Sequence, residues 1–119
     1  MNYLYVMIGG AIGALLRYEV SRLCMNVNFL SLPLGTLVVN LVGCFVLGLL
    51  TAIGLHNTTM PKELMLMLTT GMCGAFTTFS TFSGETVKMM ANGNAPLAIL
   101  YVVVSLVAGF LLFWLGSRL

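Results

Sequence analysis

The chain has 119 residues, of which 60% are hydrophobic and only 7% are charged. Soluble domains have about 25% charged residues, so this composition excludes an ordinary soluble enzyme or binding domain. The formal net charge of +2 is too small for a nucleic-acid-binding protein. The long apolar runs instead predict an all-α membrane protein with four transmembrane helices of roughly 20 residues each. The predicted single domain, 1–119, has spans at about 3–23, 32–55, 62–91 and 97–116.

The first span carries small residues that allow another backbone to approach closely. Gly9 and Gly13 are four residues apart, so they lie on one face of the helix. Arg17 follows one turn later, near the end of the span. It either extends to the lipid headgroups, paired with Glu19, or supplies a positive charge at a vestibule that concentrates anions. No cleavable signal is visible, so we expect this span to be retained.

The second span contains one carboxamide, Asn40, well inside an otherwise apolar helix. Its side chain could form a hydrogen bond to another helix, or it could donate to a transported species. Gly43 and Gly48 again favour close helix packing. Cys24, Cys44 and Cys73 are in or beside apolar runs, without metal or redox spacing, and we interpret them as reduced packing residues.

The third span is unusual because glycines and hydroxyls occupy its middle. Gly71 and Gly74 weaken the helix at mid-depth, and hydroxyl residues follow: Thr77, Thr78, Ser80, Thr81 and Ser83. A continuous helix is possible, since Ser and Thr can bond to carbonyls one turn earlier. We predict instead a break near 74–78. A break frees carbonyls that can hold a cation, and amides at the start of the second half.

Two aromatic residues lie in the same segment. Phe79 and Phe82 are three residues apart, so their rings project from one helical face. Ring edges carry partial positive charge and can attract an anion, although such a pair often serves only for packing. In the fourth span, Tyr101 and Ser105 are the polar interruptions of one helical face.

The balance of basic residues predicts an unusual topology. With four spans, Lys62 and Arg118 lie on one side of the membrane, while Arg22, Lys88 and Arg17 lie on or near the other. Orientation normally follows a clear Lys/Arg excess on the cytoplasmic side. The small bias here permits insertion both ways round, and we therefore expect an antiparallel homodimer.

Together, these polar groups suggest an anion path. A permeating anion needs donors that replace its hydration shell but bind weakly enough to release it. Such donors are available from Asn40, from the hydroxyls of the third span, from the ring edges of Phe79 and Phe82, and from Tyr101 and Ser105. No Lys or Arg lies among them to trap the ion.

Three motifs resemble the Fluc/CrcB fluoride channels of bacteria. They are Gly9-Gly-x-x-Gly13-Ala-x-x-Arg17-Tyr18, Gly35-Thr-Leu-x-Val-Asn40-x-x-Gly43-x-Phe45-x-x-Gly48 and Gly71-x-x-Gly74-x-Phe-Thr-Thr-Phe79-Ser-Thr-Phe82-Ser-x-Glu85. The resemblance covers essentially the whole chain. It implies a dual-topology antiparallel homodimer in the bacterial inner membrane, with two fluoride pores along the subunit interface. Such a channel exports fluoride passively and gives fluoride resistance without enzymatic activity.

The resemblance also implies roles for individual residues. Phe79 and Phe82 would present ring edges to fluoride, and Asn40 would be the pore asparagine. Ser80, Thr81, Tyr101 and Ser105 would form a track of hydroxyls. The backbone carbonyls of Gly74 and Thr77, from each subunit, would hold a structural Na⁺ ion at the dimer centre. Arg17 would lie at a vestibule, and Glu85 matches an acidic position whose role stays open.

Two other functions fit the length of the chain. A small four-helix, proton-coupled multidrug exporter needs a carboxylate deep in the first span. Residues 3–16 contain none, and Glu19 is near the end of that span. A non-transporting membrane scaffold would explain the glycine-rich packing faces but not the segment of phenylalanines and hydroxyls.

Overall fold

The computed structural model describes residues 2–25, 32–56 and 59–119, and the regular structure in these ranges is helical. We number its α-helices in chain order and treat the π-helical segment Met67–Cys73 separately. The helices are α1 (Asn2–Cys24), α2 (Leu34–His56), α3 (Lys62–Leu66), α4 (Gly74–Phe76), α5 (Ser80–Ala91) and α6 (Ala95–Arg118).

Four helical stretches are long and apolar enough to cross a membrane: α1, α2, the third span Lys62–Ala91, and α6. A 23-residue helix such as α2 is about 35 Å long, which exceeds the roughly 30 Å of a bilayer core. The mean hydropathy reaches 2.3 in α2 and 2.6 in α6. The predicted all-α, multi-pass membrane fold is therefore confirmed.

The helices α2 and α6 pack against each other along their length, with their backbones in close contact. A Cβ atom at Gly48 would collide with the Phe113 carbonyl of α6, so only glycine permits this approach. Val39 of α2 and Tyr101 of α6 are fully buried at this pairing. The prediction that Gly48 allows close packing is confirmed.

The helix α1 packs mainly on the first half of the third span. A Cβ atom at Gly9 would collide with the Met67 carbonyl of the π-helical segment. The predicted glycine face of α1 therefore contacts backbone, as expected. In the π-helical segment, the Gly74 amide reaches back five residues to the Thr69 carbonyl, a wider turn that the sequence analysis did not anticipate.

Candidate functional site

The third span is interrupted between Phe76 and Ser80. Helix α4 ends at Phe76, Thr77 is extended with φ −85° and ψ 161°, and α5 begins at Ser80. The Thr77 amide and hydroxyl both donate to the Cys73 carbonyl, at 3.1 and 3.0 Å. The expected break near 74–78 is thus found at residues 77–79. The first half of the span ends there with the two hydrogen bonds that Thr77 donates to Cys73.

Asn40 of α2 connects to the break through its carboxamide. The Asn40 Nδ2 donates to the Thr78 carbonyl at 3.0 Å, and the Thr78 amide donates to the Asn40 Oδ1 at 2.8 Å. The structure therefore contains the interhelical hydrogen bond that was one of the two interpretations of Asn40. The carboxamide has a second N–H, which finds no acceptor among the described residues.

This pairing changes the hydrogen bonding of the first half-helix. In a continuous α-helix the Thr78 amide would donate to the Gly74 carbonyl, but here it donates to Asn40. The Gly74 carbonyl therefore loses its helical donor. Gly74 is also exposed on the surface of the chain. The backbone at the break can consequently offer carbonyl oxygen to a ligand or to another chain.

Hydroxyls cluster where the second half of the span begins. The Thr78 hydroxyl donates to the Thr81 hydroxyl at 3.1 Å and accepts from the Thr81 amide at 3.2 Å. The Ser80 hydroxyl lies 3.4 Å from the same Thr78 oxygen. Sequence analysis selected Ser80 and Thr81 but missed Thr78 as a site residue. The break places Thr78 at the junction, where its backbone and its hydroxyl are both engaged.

Three aromatic rings form a row from the surface to the core. The Phe79 and Phe82 ring centroids are 6.1 Å apart, and those of Phe82 and Tyr101 are 5.0 Å apart. Phe79 is 77% exposed, whereas Tyr101 is fully buried. The rings are tilted by 43° and 45°, so neither pair is stacked in parallel. Such tilted pairs bring the edge of one ring toward its neighbour.

A cavity of about 360 Å³ lies beside this row. We call it the Asn40 cavity. Its polar lining comes from α2, the π-helical segment, the break and α6, and it includes Asn40, Thr69, Thr77, Thr78 and Ser105. Both Phe79 and Phe82 also line it. The Ser105 hydroxyl oxygen is buried and has no hydrogen-bond partner among the described residues.

A second cavity, of about 660 Å³, lies near the ends of α1 and α2. We call it the Glu85 cavity, because Glu85 and Thr81 line it together with Thr36. The Tyr101 hydroxyl donates to the Glu85 carboxylate at 3.1 Å. Tyr101 thus contacts a residue of each cavity, Glu85 through its hydroxyl and Phe82 through its ring.

The residues predicted to form the anion path are therefore divided between the two cavities. Asn40, Phe79, Phe82 and Ser105 meet at the Asn40 cavity, whereas Thr81 lines the Glu85 cavity. Tyr101 lines neither cavity directly. Ser80 lies at the start of α5, beside the Thr78 hydroxyl. Among the described residues, no Lys or Arg lines either cavity.

The structure contradicts one of the two interpretations of Arg17. Its Nε donates to the Ala75 carbonyl at 3.2 Å, just before the break, while Glu19 pairs with Arg22. The predicted pairing of Arg17 with Glu19 is wrong, because residues two apart on a helix do not face each other and residues three apart do. Arg17 is partly buried, so its guanidinium lies against the third span.

The predicted metal site depends on backbone oxygens, because the described side chains do not form a cluster of metal ligands. Within 2–25, 32–56 and 59–119, no group of three or more His, Cys, Asp or Glu residues could hold a metal ion. Gly74 and Thr77 would have to act through their backbone carbonyls. The Gly74 carbonyl loses its helical donor at the break, whereas those of Cys73 and Ala75 accept hydrogen bonds from Thr77 and Arg17. This donor type fits a hard cation such as Na⁺.

Comparisons with known proteins identify the family. The model of the CrcB-like protein family, described as Camphor Resistance (CrcB), matches residues 4–117. The chain is 44% identical over its full length to "Fluoride-specific ion channel FluC 2" of Staphylococcus haemolyticus, covering 96% of that protein. It is 45% identical to "Fluoride-specific ion channel FluC 1" of Staphylococcus aureus strain NCTC 8325, again over the full chain and 96% of the relative.

A third relative comes from a different bacterium. The "Fluoride-specific ion channel FluC" of Azobacteroides pseudotrichonymphae is 42% identical over 102 residues, which are 86% of this chain and 82% of that protein. The family match and these relatives confirm the resemblance seen in the three sequence motifs. The chain belongs to the CrcB family.

Proposed function

We propose that this protein is a fluoride-selective ion channel that lets cytoplasmic fluoride leave the cell down its electrochemical gradient. The observation that carries this proposal is the full-length identity of 44–45% to proteins named fluoride-specific ion channels. The four candidate spans account for most of the residues that the structure describes. The proposed activity is therefore transport without enzymatic chemistry, in a bacterial inner membrane, and its benefit is fluoride resistance.

The proposed path uses weak donors in sequence. On one side of the aromatic row lies the Glu85 cavity with the Thr81 hydroxyl, and Ser80 precedes it on α5. On the other side, Ser105 and Asn40, which has one N–H without an acceptor among the described residues, line the Asn40 cavity. Phe79 and Phe82 line that cavity and would present ring edges to the ion. None of these groups carries a positive charge, so the anion can be released at each step.

Tyr101 and Arg17 have supporting roles in the proposal. The Tyr101 hydroxyl belongs to the track and is oriented by Glu85, 3.1 Å away. The Arg17 guanidinium would raise the local concentration of anions at a vestibule. Its Nε also bonds to the Ala75 carbonyl, and that bond would hold the charge at a fixed place beside the break.

The proposed functional unit is an antiparallel homodimer with two pores along its interface. Phe79 is 77% exposed although it is apolar, and Gly74 is exposed beside it. The Asn40 cavity has Phe79 and Phe110 on its wall, and both rings are largely exposed. A second copy of the chain would cover these rings, and the weak Lys/Arg bias of the sequence permits the opposite orientation.

A structural Na⁺ ion at the dimer centre is part of the proposal. The residues that would hold it are Gly74 and Thr77, through backbone carbonyls from each subunit. A single chain supplies too few oxygens for a cation cage, so the site would require both subunits. The ion would neutralise the carbonyl dipoles that end the two first half-helices, where these face each other. Its role would be to hold the dimer together, apart from the pores.

Growth of fluoride-sensitive bacteria tests the function directly. A strain that lacks its own fluoride export is expected to grow in fluoride when it expresses this chain, and not when it expresses Phe82→Ile. Equal protein levels in the membrane are checked by immunoblotting. No growth advantage from the wild-type chain, despite correct membrane insertion, would contradict the proposal.

Orientation-biased variants test the antiparallel dimer. His56→Lys/Met60→Lys adds positive charge to one side of the membrane, and Asn92→Lys/Asn94→Lys adds it to the other. Each variant expressed alone is expected to lose fluoride resistance, whereas co-expression of both restores it. Full resistance from either variant alone would contradict the dual topology without affecting the proposed ion selectivity.

A further inference from the structure

Gly43 of α2 differs from Gly9 and Gly48 in what it contacts. A Cβ atom at Gly9 or Gly48 would collide with a backbone carbonyl. A Cβ atom at Gly43 would instead collide with a side chain, because it would overlap the Cγ2 methyl of Thr77. Thr77 is the extended residue at which the third span is interrupted. The space left by the missing side chain of Gly43 therefore holds a methyl group of the break.

The hydrogen bonds of Thr77 determine the direction of that methyl. The Thr77 hydroxyl donates to the Cys73 carbonyl at 3.0 Å, and the Thr77 amide donates to the same oxygen at 3.1 Å. A β-branched side chain has few rotamers, so a hydroxyl held in this way also fixes the methyl on the same Cβ atom. The Thr77 side chain is thus held by Cys73 on one side and by Gly43 on the other.

Gly43 and Asn40 hold the break from the same face of α2, since they are three residues apart. Asn40 Oδ1 accepts from the Thr78 amide at 2.8 Å, and Gly43 accommodates the methyl of the preceding residue, Thr77. Both contacts therefore act on the peptide group that joins Thr77 to Thr78. In a planar trans peptide the carbonyl points away from the N–H. The Thr77 carbonyl consequently points away from Asn40.

We infer that Gly43 is a positioning residue of the channel: by accommodating the Thr77 methyl, it holds the break on α2. In this position the Thr78 amide reaches Asn40, and the Thr77 carbonyl is directed away from Asn40, where the proposed Na⁺ ion would bind. The inference rests on the proposed function, which places Asn40 in the ion path. It assigns to Gly43 a role in conduction that close packing of two helices does not require.

Moving one methyl group across this contact tests the inference. Gly43→Ala adds a methyl where the Thr77 methyl lies. Thr77→Ser removes the Thr77 methyl but keeps the hydroxyl and the backbone. In Gly43→Ala/Thr77→Ser the alanine methyl would have ordinary van der Waals contacts, since the next nearest atoms, of Phe76 and Thr77, are 3.6 Å from it. The double variant therefore conserves the volume of the contact.

Fluoride efflux from liposomes is compared at equal amounts of reconstituted protein. Gly43→Ala is expected to conduct at least about tenfold more slowly than the wild type, because overpacking displaces the backbone. Gly43→Ala/Thr77→Ser is expected to conduct within about threefold of Thr77→Ser, since volume-conserving changes are tolerated best. Gly54→Ala is the matched control on α2 and is expected to conduct like the wild type. Its Cβ atom would meet only the flexible end of the Met65 side chain, at 3.2 Å.

Hydrogen exchange of the Thr78 amide reports the position of the break without any transport of fluoride. It is followed by NMR in micelles on protein labelled with ¹⁵N-threonine. Gly43→Ala is expected to accelerate this exchange at least about tenfold, because the bond to Asn40 opens locally, and the added Thr77→Ser is expected to reverse the change. The Thr51 amide of α2 serves as the reference for general loss of stability, and its exchange should change by less than about twofold.

Three outcomes would overturn the inference. The first is conduction by Gly43→Ala at the wild-type rate, and the second is failure of Thr77→Ser to restore conduction to Gly43→Ala. The third is equal acceleration of the Thr51 and Thr78 amides, because Gly43 would then support the whole fold instead of the break. If the wild type passes no fluoride, the proposed function fails. The exchange of the Thr78 amide still decides in that case whether Gly43 positions the break.

Discussion

Replacing Asn40 by Asp exchanges the side-chain NH₂ group for an oxygen at the junction between α2 and the broken third span. The Thr78 amide keeps its acceptor at position 40, but the Thr78 carbonyl, now 3.0 Å from an amide nitrogen, would face an oxygen. Leaving that partly buried carbonyl without its donor costs about 1–3 kcal/mol. The ionised carboxylate would also repel a fluoride ion about 4 Å away by about 4 kcal/mol at an effective dielectric constant near 20.

We therefore expect Asn40→Asp to lower fluoride efflux by at least about a hundredfold, since every 1.4 kcal/mol corresponds to a factor of ten. Asn40→Leu separates the two effects, because it removes both hydrogen bonds without adding charge. It leaves two backbone groups unpaired, which costs about 2–6 kcal/mol. Asn40→Leu should show the larger loss of stability. Asn40→Asp should show the larger loss of fluoride flux relative to its loss of stability.

Thr51→Val serves as the matched control on the same helix. The Thr51 hydroxyl bonds only to the Leu47 carbonyl one turn earlier, at 2.8 Å, on the exposed surface. Its loss should change stability by less than about 0.5 kcal/mol. Stability is measured by denaturant titration in mixed micelles, and flux by a fluoride electrode on liposomes. Wild-type flux and stability in Asn40→Asp would refute the pairing with Thr78 and the place of Asn40 in the path.

Phe79→Ile and Phe82→Ile should each lower fluoride efflux at least about tenfold, because the polarised ring edges are lost. Phe82→Ile should also destabilise the fold, since its ring packs on Tyr101, whereas Phe79 is mostly exposed; normal flux in both variants would refute the ring-edge argument. Tyr101→Phe removes the donor to Glu85 and should lower both flux and stability, the latter by about 0.5–1.5 kcal/mol; unchanged flux at reduced stability would limit Tyr101 to packing. Arg17→Gln should lower flux more at low than at high ionic strength, since salt screens a vestibule charge. An equal loss at both would assign Arg17 only to its carbonyl hydrogen bond.

The sequence predicted the course of the chain well, because each feature involved is local. Apolar run length places the membrane helices, and the glycine spacing on α1 and α2 predicts where backbones meet. Similarly, the glycines and hydroxyls of the third span predict an interruption. The observed break, at residues 77–79, lies within a few residues of the expected position.

The contacts of the site were harder to predict, because they depend on how separate helices align in space. Nothing local to Asn40 indicates that its partner is the Thr78 backbone, 38 residues away. The bond from Arg17 to the Ala75 carbonyl spans 58 residues. Glu85 had no role in the sequence analysis, and its contact with Tyr101 arises because α5 and α6 pack side by side.

The π-helical segment Met67–Cys73 was missed for a different reason. Its wider turn is not encoded by a residue type with a known preference for it, although Gly71 allows the close approach to α1. A single glycine is equally compatible with a weakened helix and with a widened helical turn. Only the packing against α1 distinguishes the two.

The central claim is selective conduction of fluoride, and one measurement tests it most directly. Purified protein in liposomes loaded with fluoride and chloride is followed with an electrode for each ion. The account predicts rapid fluoride efflux that depends on the protein, with chloride retained. Absence of fluoride efflux from demonstrably dimeric protein, or loss of chloride at the same rate, would contradict it.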